Sequence, residues 1–398
     1  MGNVTVSFVV PCYKLAHLLP QCINSILSQT YGDFEVLIMD DHSPDNTGVV
    51  AKSIHDDRIR YVRNDTNLGA FRNFNKGIGL SRGKYIWLIS ADDYLRQPYV
   101  LERYVEVMEK NPSVGFVFCP AVGVKDGKET EVLPFSVYSD CDRVVAGHDF
   151  LKTLLNLCFV VAASAMARRK CYETISMFPL DVVSSGAQID LTWRGDWYLW
   201  CIFALSFDVG YFAEPMVCYR EHDLSITNAL TRQENIENMV ANDIAVPWMV
   251  RQKALELGLL KVSEECLHAV AHEYARHCAS TQHEWLERVS TSAMSLDAFE
   301  DSLCHRTNDE SERNWIRARV FAGMGDIFCF RGDRRGAGKF YLRALRKDPM
   351  MAKVYIKLIL LSLGSPGNYV RRAVLDSKQR TLKQAYDSAR DALVRGSS

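Results

Sequence analysis

Apolar residues follow two regimes along the chain. Up to about residue 220, short apolar runs alternate with segments in which apolar positions recur every three or four residues. Beyond about residue 231 only the second pattern remains. A short apolar run bounded by turn residues reads as a strand, and a three-to-four spacing reads as a helix face. The first regime predicts strands at Val4–Val10, Glu35–Met39, Arg60–Arg63, Tyr85–Ser90 and Val114–Cys119, with another over the apolar run Cys158–Met166. Pro11 is expected to end the first strand because it cannot donate to a ladder. Helices are expected through Leu18, Leu19, Cys22, Ile23, Ile26 and Leu27, from Pro44-Asp45-Asn46-Thr47, after Asn67-Leu68-Gly69, over Val100–Met108, over Asp149–Leu157 and from near Asp196. Gly83 reads as the cap closing the helix that Gly69 opens, Lys125-Asp126-Gly127-Lys128 as a hairpin turn and Arg168-Arg169-Lys170 as a solvated basic turn.

Strands alternating with helices predict an α/β doubly wound sheet over residues 1–230. Residues 231–398 form an all-α C-terminal region, in which Ala318, Phe321, Met324, Gly325, Phe328, Ala337, Tyr341, Ala344 and Pro349 fall on the spacing of a tetratricopeptide-like helix pair over about 318–351. Leu358 and Leu361 suggest a partial second pair. A single pair is as consistent with a helical hairpin as with a peptide-binding surface, because stable arrays need about three repeats.

Composition narrows the setting. The 398 residues carry a formal net charge of −1, which gives no general affinity for polyanions, and no nucleic-acid partner is expected. The 12 cysteines have no metal-ligand spacing and read as small buried hydrophobes of a reducing compartment. No run is long enough to span a bilayer; the longest, Trp197 to Phe212, is broken by Asp208 and Gly210. A cytoplasmic protein is expected. The apolar stretch Val354–Leu361, with Arg371-Arg372 downstream, allows weak contact with the inner membrane face or with a protein partner.

The chemistry lies at strand ends. The run Tyr85–Ser90 leads into Ala91-Asp92-Asp93, and the second strand leads into Asp40-Asp41. In parallel strands both acid pairs face one sheet edge together with Tyr13, where open α/β sheets bind ligands. Adjacent carboxylates repel and call for a cation or ligand hydroxyls. Later, Arg194-Gly195-Asp196-Trp197 places an acid at a helix start, and Tyr219-Arg220-Glu221-His222 ends a strand.

These stretches resemble glycosyltransferase family 2. The likeness is carried by Val9-Val10-Pro11-Cys12-Tyr13-Lys14, Ser25–Tyr31, Phe34–Ser43, Asn67-Leu68-Gly69, Arg72-Asn73, Gly83-Lys84-Tyr85, Asp196-Trp197 and the Tyr-Arg-x-His ending. The resemblance implies a GT-A fold, a nucleotide-sugar donor (UDP by default) and inversion at the anomeric carbon. It assigns Pro11 and Tyr13 to the base-binding loop, Asp41 to the base, Arg72 to the donor, Asp92 to ribose or sugar hydroxyls, and Asp93 with His222 to Mg²⁺ or Mn²⁺. It makes Asp196 the general base, whereas Gly195 departs from the acid that usually precedes it. The implied partners are the nucleotide sugar and a glycan or lipid-linked acceptor, in the synthesis of a cell-surface polysaccharide or glycoconjugate. Pro11-Cys12-Tyr13-Lys14 excludes the Gly-x-Gly-x-x-Gly turn of a dehydrogenase. The competing reading is a GT-A domain without turnover, serving as a sugar-nucleotide-binding or helical-repeat scaffold, and Gly195 is the feature that raises it.

Overall fold

The computed structural model describes residues 4–174, 177–180, 182–184, 187–222, 236–279 and 294–362. The expectation for Arg371-Arg372 lies outside the described residues. Two compact units are present. One holds the described residues up to Leu180 and from Gly195 to His222; the other holds those from Val182 to Arg194 and from 236 onward.

The strands of the first unit are β1 (Val6–Cys12), β2 (Phe34–Asp40), β3 (Ile59–Arg63), β4 (Tyr85–Leu88), β5 (Tyr94–Leu95), β6 (Val114–Phe118), β7 (Ala121–Lys125), β8 (Lys128–Val132), β9 (Arg143–Val145) and β10 (Met166–Arg168). After β11 (Val182–Ser184) and β12 (Ala187–Ile189), which pair in the second unit, β13 (Asp208–Tyr211) and β14 (Val217–Arg220) complete the first. The main sheet runs β3-β2-β1-β4-β10-β6-β13-β9, and a smaller one runs β5-β14-β7-β8. Strands β3, β2, β1 and β4 are parallel, so their C-terminal ends share one edge. The helices of this unit are α1 (Leu19–Leu27), α2 (Thr47–Ser53), α3 (Ala70–Leu80), α4 (Val100–Lys110), α5 (Gly147–Leu154), α6 (Arg169–Thr174) and α7 (Gly195–Ala204).

Both faces of β4 are buried, as its unbroken apolar run predicts. On one face Trp87 stacks on Tyr104 at 4.7 Å, and Tyr104 on Phe212 at 5.2 Å, while the indole N–H donates to the Ala163 carbonyl at 2.8 Å. On the same aromatic column Phe8 of β1 stacks on Trp87 at 5.4 Å. This packing rigidifies the strand that carries Asp92 and Asp93.

Five local expectations are corrected. Pro11 remains inside β1, paired with Met39, because its carbonyl still accepts the Ala91 N–H at 3.1 Å and only one ladder donor is lost. The first strand begins at Val6 rather than Val4. Helix α3 ends at Leu80, and Gly83 serves a close backbone approach, since a Cβ there would stand 2.5 Å from the Ser7 nitrogen. Most of Cys158–Met166 is irregular, and the strand there is the short β10. Arg168 and Arg169 are not a solvated turn. Arg168 Nε donates to the Val114 carbonyl at 2.6 Å and its guanidinium also bonds the Met108 and Asn111 carbonyls, while Arg169 Nε reaches the Gly83 carbonyl at 2.8 Å. These two cations satisfy carbonyls left over at helix and strand ends.

The second unit contains α8 (Ile236–Glu256), α9 (Leu260–Cys278), α10 (Leu296–Arg306), α11 (Glu310–Phe330), α12 (Arg334–Lys347) and α13 (Ala352–Ser362). Ala318, Phe321, Met324, Gly325, Ala337, Tyr341 and Ala344 are buried between and beneath α11 and α12. Gly325 is needed because a Cβ there would lie 2.5 Å from the Tyr341 ring. The Tyr341 hydroxyl donates to Asp326 Oδ1 at 2.7 Å. On α13 only Val354 is buried, and Tyr355, Ile356 and Ile359 are exposed. Among the described residues no helix is long and apolar enough to cross a membrane.

Candidate active site

The end of β1 connects the two acid pairs. The Pro11 carbonyl accepts the Ala91 N–H at 3.1 Å, and the Cys12 carbonyl accepts the Asp41 N–H at 2.9 Å. Tyr13 follows directly and is 41% exposed, with Lys14 Nζ 5.0 Å from its ring centre. Lys14 and His42, on the loops after β1 and β2, both hold positive φ (59° and 60°). Such backbone is uncommon outside glycine and concentrates at ligand-binding loops. The Lys14 N–H donates to Ser43 Oγ at 3.2 Å and His42 Nδ1 lies 3.2 Å from the Asn64 carbonyl, which hold the two loops in place.

The two carboxylates after β2 have separate tasks. Asp40 is fully buried; it accepts the Ser43 N–H at 2.8 Å, the Tyr61 hydroxyl at 2.5 Å and Arg63 Nη1 at 2.9 Å. Asp41 accepts Asn64 Nδ2 and the Leu68 N–H at 2.8 Å each, and the Gly69 N–H at 3.0 Å. It therefore orders the turn into α3, where Gly69 takes φ 79°. A carboxylate has about four acceptor positions, so these bonds leave Asp41 room for one ligand donor. Arg72, in the first turn of α3, is exposed.

The carboxylates after β4 are arranged differently. Asp93 is 5% exposed, and its Oδ1 accepts the Arg220 backbone N–H at 2.9 Å. Burial, and then the Asp92 charge, push its carboxyl well above the usual carboxylate range, against the pull of Arg220. Asp92 Oδ2 lies 2.8 Å from His222 Nε2, whereas Asp92 Oδ1 is buried with no hydrogen-bond partner. A buried carboxylate oxygen without a donor is costly. Asp92 Oδ1 thus stands without a donor, and of Asp93 it is Oδ1 that the Arg220 N–H engages. His222 is brought to this cluster as expected, but to Asp92.

Arg220 ties the cluster together, a tethering role that the Tyr-Arg-x-His ending does not specify. Its Nε donates to the Asp92 carbonyl at 2.9 Å, its Nη2 to Gln21 Oε1 at 2.6 Å, and its guanidinium lies 5.6 Å from the Tyr94 ring centre. The arginine of Tyr-Arg-x-His was the available signal; Gln21, on the exposed side of α1, gave none. The thiols nearby are inert: burial pushes Cys12 up to about 12 and Cys22 higher than its ordinary value.

Asp196 stands in the first turn of α7, with Oδ1 accepting the Trp197 N–H at 2.7 Å. The Trp197 indole N–H donates to the Leu154 carbonyl at 2.7 Å and anchors the helix start. Gly195 has a packing reason: a Cβ there would lie 2.1 Å from Phe71 Cζ. The Phe71 ring contacts Phe178 at 4.8 Å, and Asn75 clasps the Phe178 backbone through both amide atoms at 2.8 and 2.9 Å. The space beside Asp196 that an acid would enter is filled by an aromatic ring.

Residues 7–175 match the model of the family described as Glycosyl transferase family 2. The chain is 33% identical over 111 residues to glycosyltransferase GlyG of Streptococcus pneumoniae, a match covering 27% of this chain and 37% of that protein. It is 31% identical over 118 residues to WfgD of Escherichia coli, a UDP-Glc:alpha-D-GlcNAc-diphosphoundecaprenol beta-1,3-glucosyltransferase, covering 30% of this chain and 46% of that one. The chain thus spans less than half the length of each of these relatives. In structure it is similar to residues 1–349 of Staphylococcus aureus TarS in complex with UDP-GlcNAc, with a TM-score of 0.55 at 13% identity, covering 87% of this chain and 92% of that one. That likeness is one of fold.

Proposed function

We propose that the chain, whose residues 7–175 match the model of glycosyltransferase family 2, is a member of that family that transfers a sugar, with inversion, from a nucleotide diphosphate sugar to a hydroxyl of a glycan or lipid-linked acceptor. The observation that carries this reading is the cluster at the ends of β1, β2 and β4: exposed Tyr13, Asp41 with one acceptor position to spare, and Asp92 against His222. UDP as the donor nucleotide and a lipid-linked acceptor are supported by the activity that WfgD's name records for that protein.

The base stacks on Tyr13 and donates to Asp41, with Pro11 shaping the loop and Arg72 meeting the donor. The unpartnered Asp92 oxygen suits Mg²⁺ or Mn²⁺, hard ions that favour oxygen ligands, and the His222 ring lies beside that carboxylate. Such an ion, held at Asp92 beside His222, would supply positive charge for the departing diphosphate. Arg220 holds Asp92 and Asp93 in register by bonding the carbonyl of one and the carboxylate of the other. Asp196 accepts the proton of the acceptor hydroxyl as that oxygen attacks the anomeric carbon from the face opposite the nucleotide.

The test combines a donor screen by thermal shift, with and without Mn²⁺, with transfer assays on the donors that bind. Asp196→Asn is expected to lower kcat by about 10²–10⁴-fold, the usual range for a general base, while donor binding stays at the parent level. Parent-like turnover would remove Asp196 from this role. A screen in which no nucleotide sugar raises the melting temperature would overturn the donor assignment.

A further inference from the structure

Asn64 follows β3 directly and is 2% exposed, yet both polar atoms of its side chain are engaged. One amide proton goes to Asp41 Oδ1 at 2.8 Å and the other to Asn73 Oδ1 at 2.9 Å. Its Oδ1 accepts Lys76 Nζ at 2.7 Å. Asn73 and Lys76 lie three residues apart on α3 and so share one helix face. The main chain of Asn64 is bound as well: its N–H donates to the Asp40 carbonyl at 2.9 Å, and its carbonyl lies 3.2 Å from His42 Nδ1. One residue therefore touches Asp40, Asp41 and His42 in turn.

The direction of these bonds admits no alternative. A lysine can only donate, whereas a backbone carbonyl and a carboxylate can only accept. Lys76 thus fixes Asn64 Oδ1 on its own side and turns both amide protons toward Asp41 and Asn73. Asn73 Nδ2 in turn donates to the Met39 carbonyl at 3.0 Å, which sets its Oδ1 toward Asn64. Asp41 Oδ1 receives the Leu68 N–H in addition to Asn64, and Oδ2 receives the Gly69 N–H. At about two acceptor positions per oxygen, the spare position belongs to Oδ2. A buried amide that loses one of these partners leaves a polar group unsatisfied, so the set holds or fails together.

We propose that Asn64 is a positioning residue for nucleobase selection: by occupying Asp41 Oδ1 and holding that carboxylate in one rotamer, it leaves Oδ2 as the acceptor for a base N–H. This rests on Asp41 meeting the base of a uridine nucleotide. The ring N3–H of uracil is the matching donor. Cytosine has a lone pair at the same ring position and would leave Oδ2 facing another acceptor. A site built around such a bond rejects the analogue that lacks it, because its own polar group is then left unsatisfied. Lys76, exposed on α3, acts through Asn64.

The experiment measures the Kd of UDP and of CDP by calorimetry, with Mn²⁺ present, for the full-chain parent, Asn64→Leu, Lys76→Met and Asp41→Ala. Melting temperatures are taken alongside. The parent is expected to favour UDP over CDP by about 10–100-fold, the range that one hydrogen bond to a charged group supplies. Asn64→Leu should weaken UDP by about 10-fold, keep CDP within about twofold of the parent, and so reduce the preference by about the same 10-fold. Lys76→Met should reduce it by about 3-fold, and Asp41→Ala should abolish it. Simple loosening of the site would weaken both nucleotides alike and leave their ratio unchanged. A parent-like ratio in Asn64→Leu beside a collapsed ratio in Asp41→Ala overturns this proposal alone. Where Asn64→Leu melts too low to titrate, Lys76→Met decides by the same ratio. A parent-like ratio in Asp41→Ala, or a parent that binds neither nucleotide, overturns the base assignment and this proposal together.

Discussion

Asp92 with Asp93 at the end of β4, and Asp243 with Glu273 on α8 and α9, are both carboxylate pairs withdrawn from water, yet their surroundings differ throughout. Asp243 meets Arg194, Arg276 and His277, and Glu273 meets Arg276 and His272. Burial alone would raise both acids, but these cations and hydrogen bonds outweigh it and hold both below the ordinary carboxylate range. Around Asp92 and Asp93 the donors are fewer: one backbone N–H, one imidazole and a guanidinium engaged with a carbonyl and a glutamine. Burial wins there, Asp93 is pushed up, and one Asp92 oxygen has no partner. A pair that serves only the fold is neutralised from within the chain. A pair left short of donors suits charge that arrives from outside, which is the physical reason for proposing a site at the β4 end.

Opposite pH signs offer the strongest way to break this comparison. Removing one partner of a buried, bonded ion network costs about 3–5 kcal/mol, so Asp243→Ala should show that loss in denaturant unfolding at pH 7. Asp243 has a lowered folded pKa, so its contribution is present above the ordinary value of 3.8 and is lost as pH falls through the folded value. The deficit of the variant should therefore shrink in acid. Asp93 has a raised folded pKa, so the parent is favoured below 3.8 and loses that advantage as pH rises through the folded value. With chelator present, Asp93→Asn should gain on the parent as pH rises above about 4, the reverse trend. The same trend in both variants would remove the distinction drawn here.

A second measurement separates the two acids of the β4 end. Asp92→Asn should abolish the additional melting-temperature shift that Mn²⁺ gives to a bound UDP-sugar, and Asp93→Asn should retain most of it. Retention in Asp92→Asn with loss in Asp93→Asn would return the metal role to Asp93. The smallest expected effect concerns the other half of the proposed site. Gly195→Ala places a Cβ against the Phe71 ring and should cost about 1–3 kcal/mol, as overpacking does. In a Phe71→Ala background the same change should cost less, and equal cost in both backgrounds would mean that the ring is not the obstacle.

Much of the architecture was legible because the relevant signals are local. The double-sided burial of β4 is written in its unbroken apolar run, and the α11–α12 pair in the spacing of small and aromatic residues from Ala318 to Ala344. Expectations failed where a segment's role depends on distant partners. Cys158–Met166 is apolar enough for a strand, but it serves to cap the aromatic stack with the Ala163 carbonyl and pairs only at its end. Arg168 and Arg169 look like solvated charges until the carbonyls of Met108, Asn111, Val114 and Gly83 are brought to them. Gly195 reads in sequence as a missing acid, and only the position of Phe71, more than a hundred residues away, supplies its reason.

The sequence by itself determined most element types, the sheet edge on which the acids gather, and the family resemblance of residues 7–175. These follow from periodicity, from strand-end position and from motifs contiguous in the chain. Only the tertiary structure decided which acid of each pair turns inward. Two neighbouring aspartates are chemically identical in sequence. The Arg220 N–H reaches Asp93 and the His222 ring reaches Asp92 because β14 runs beside β5, a pairing across more than a hundred residues that no local pattern encodes.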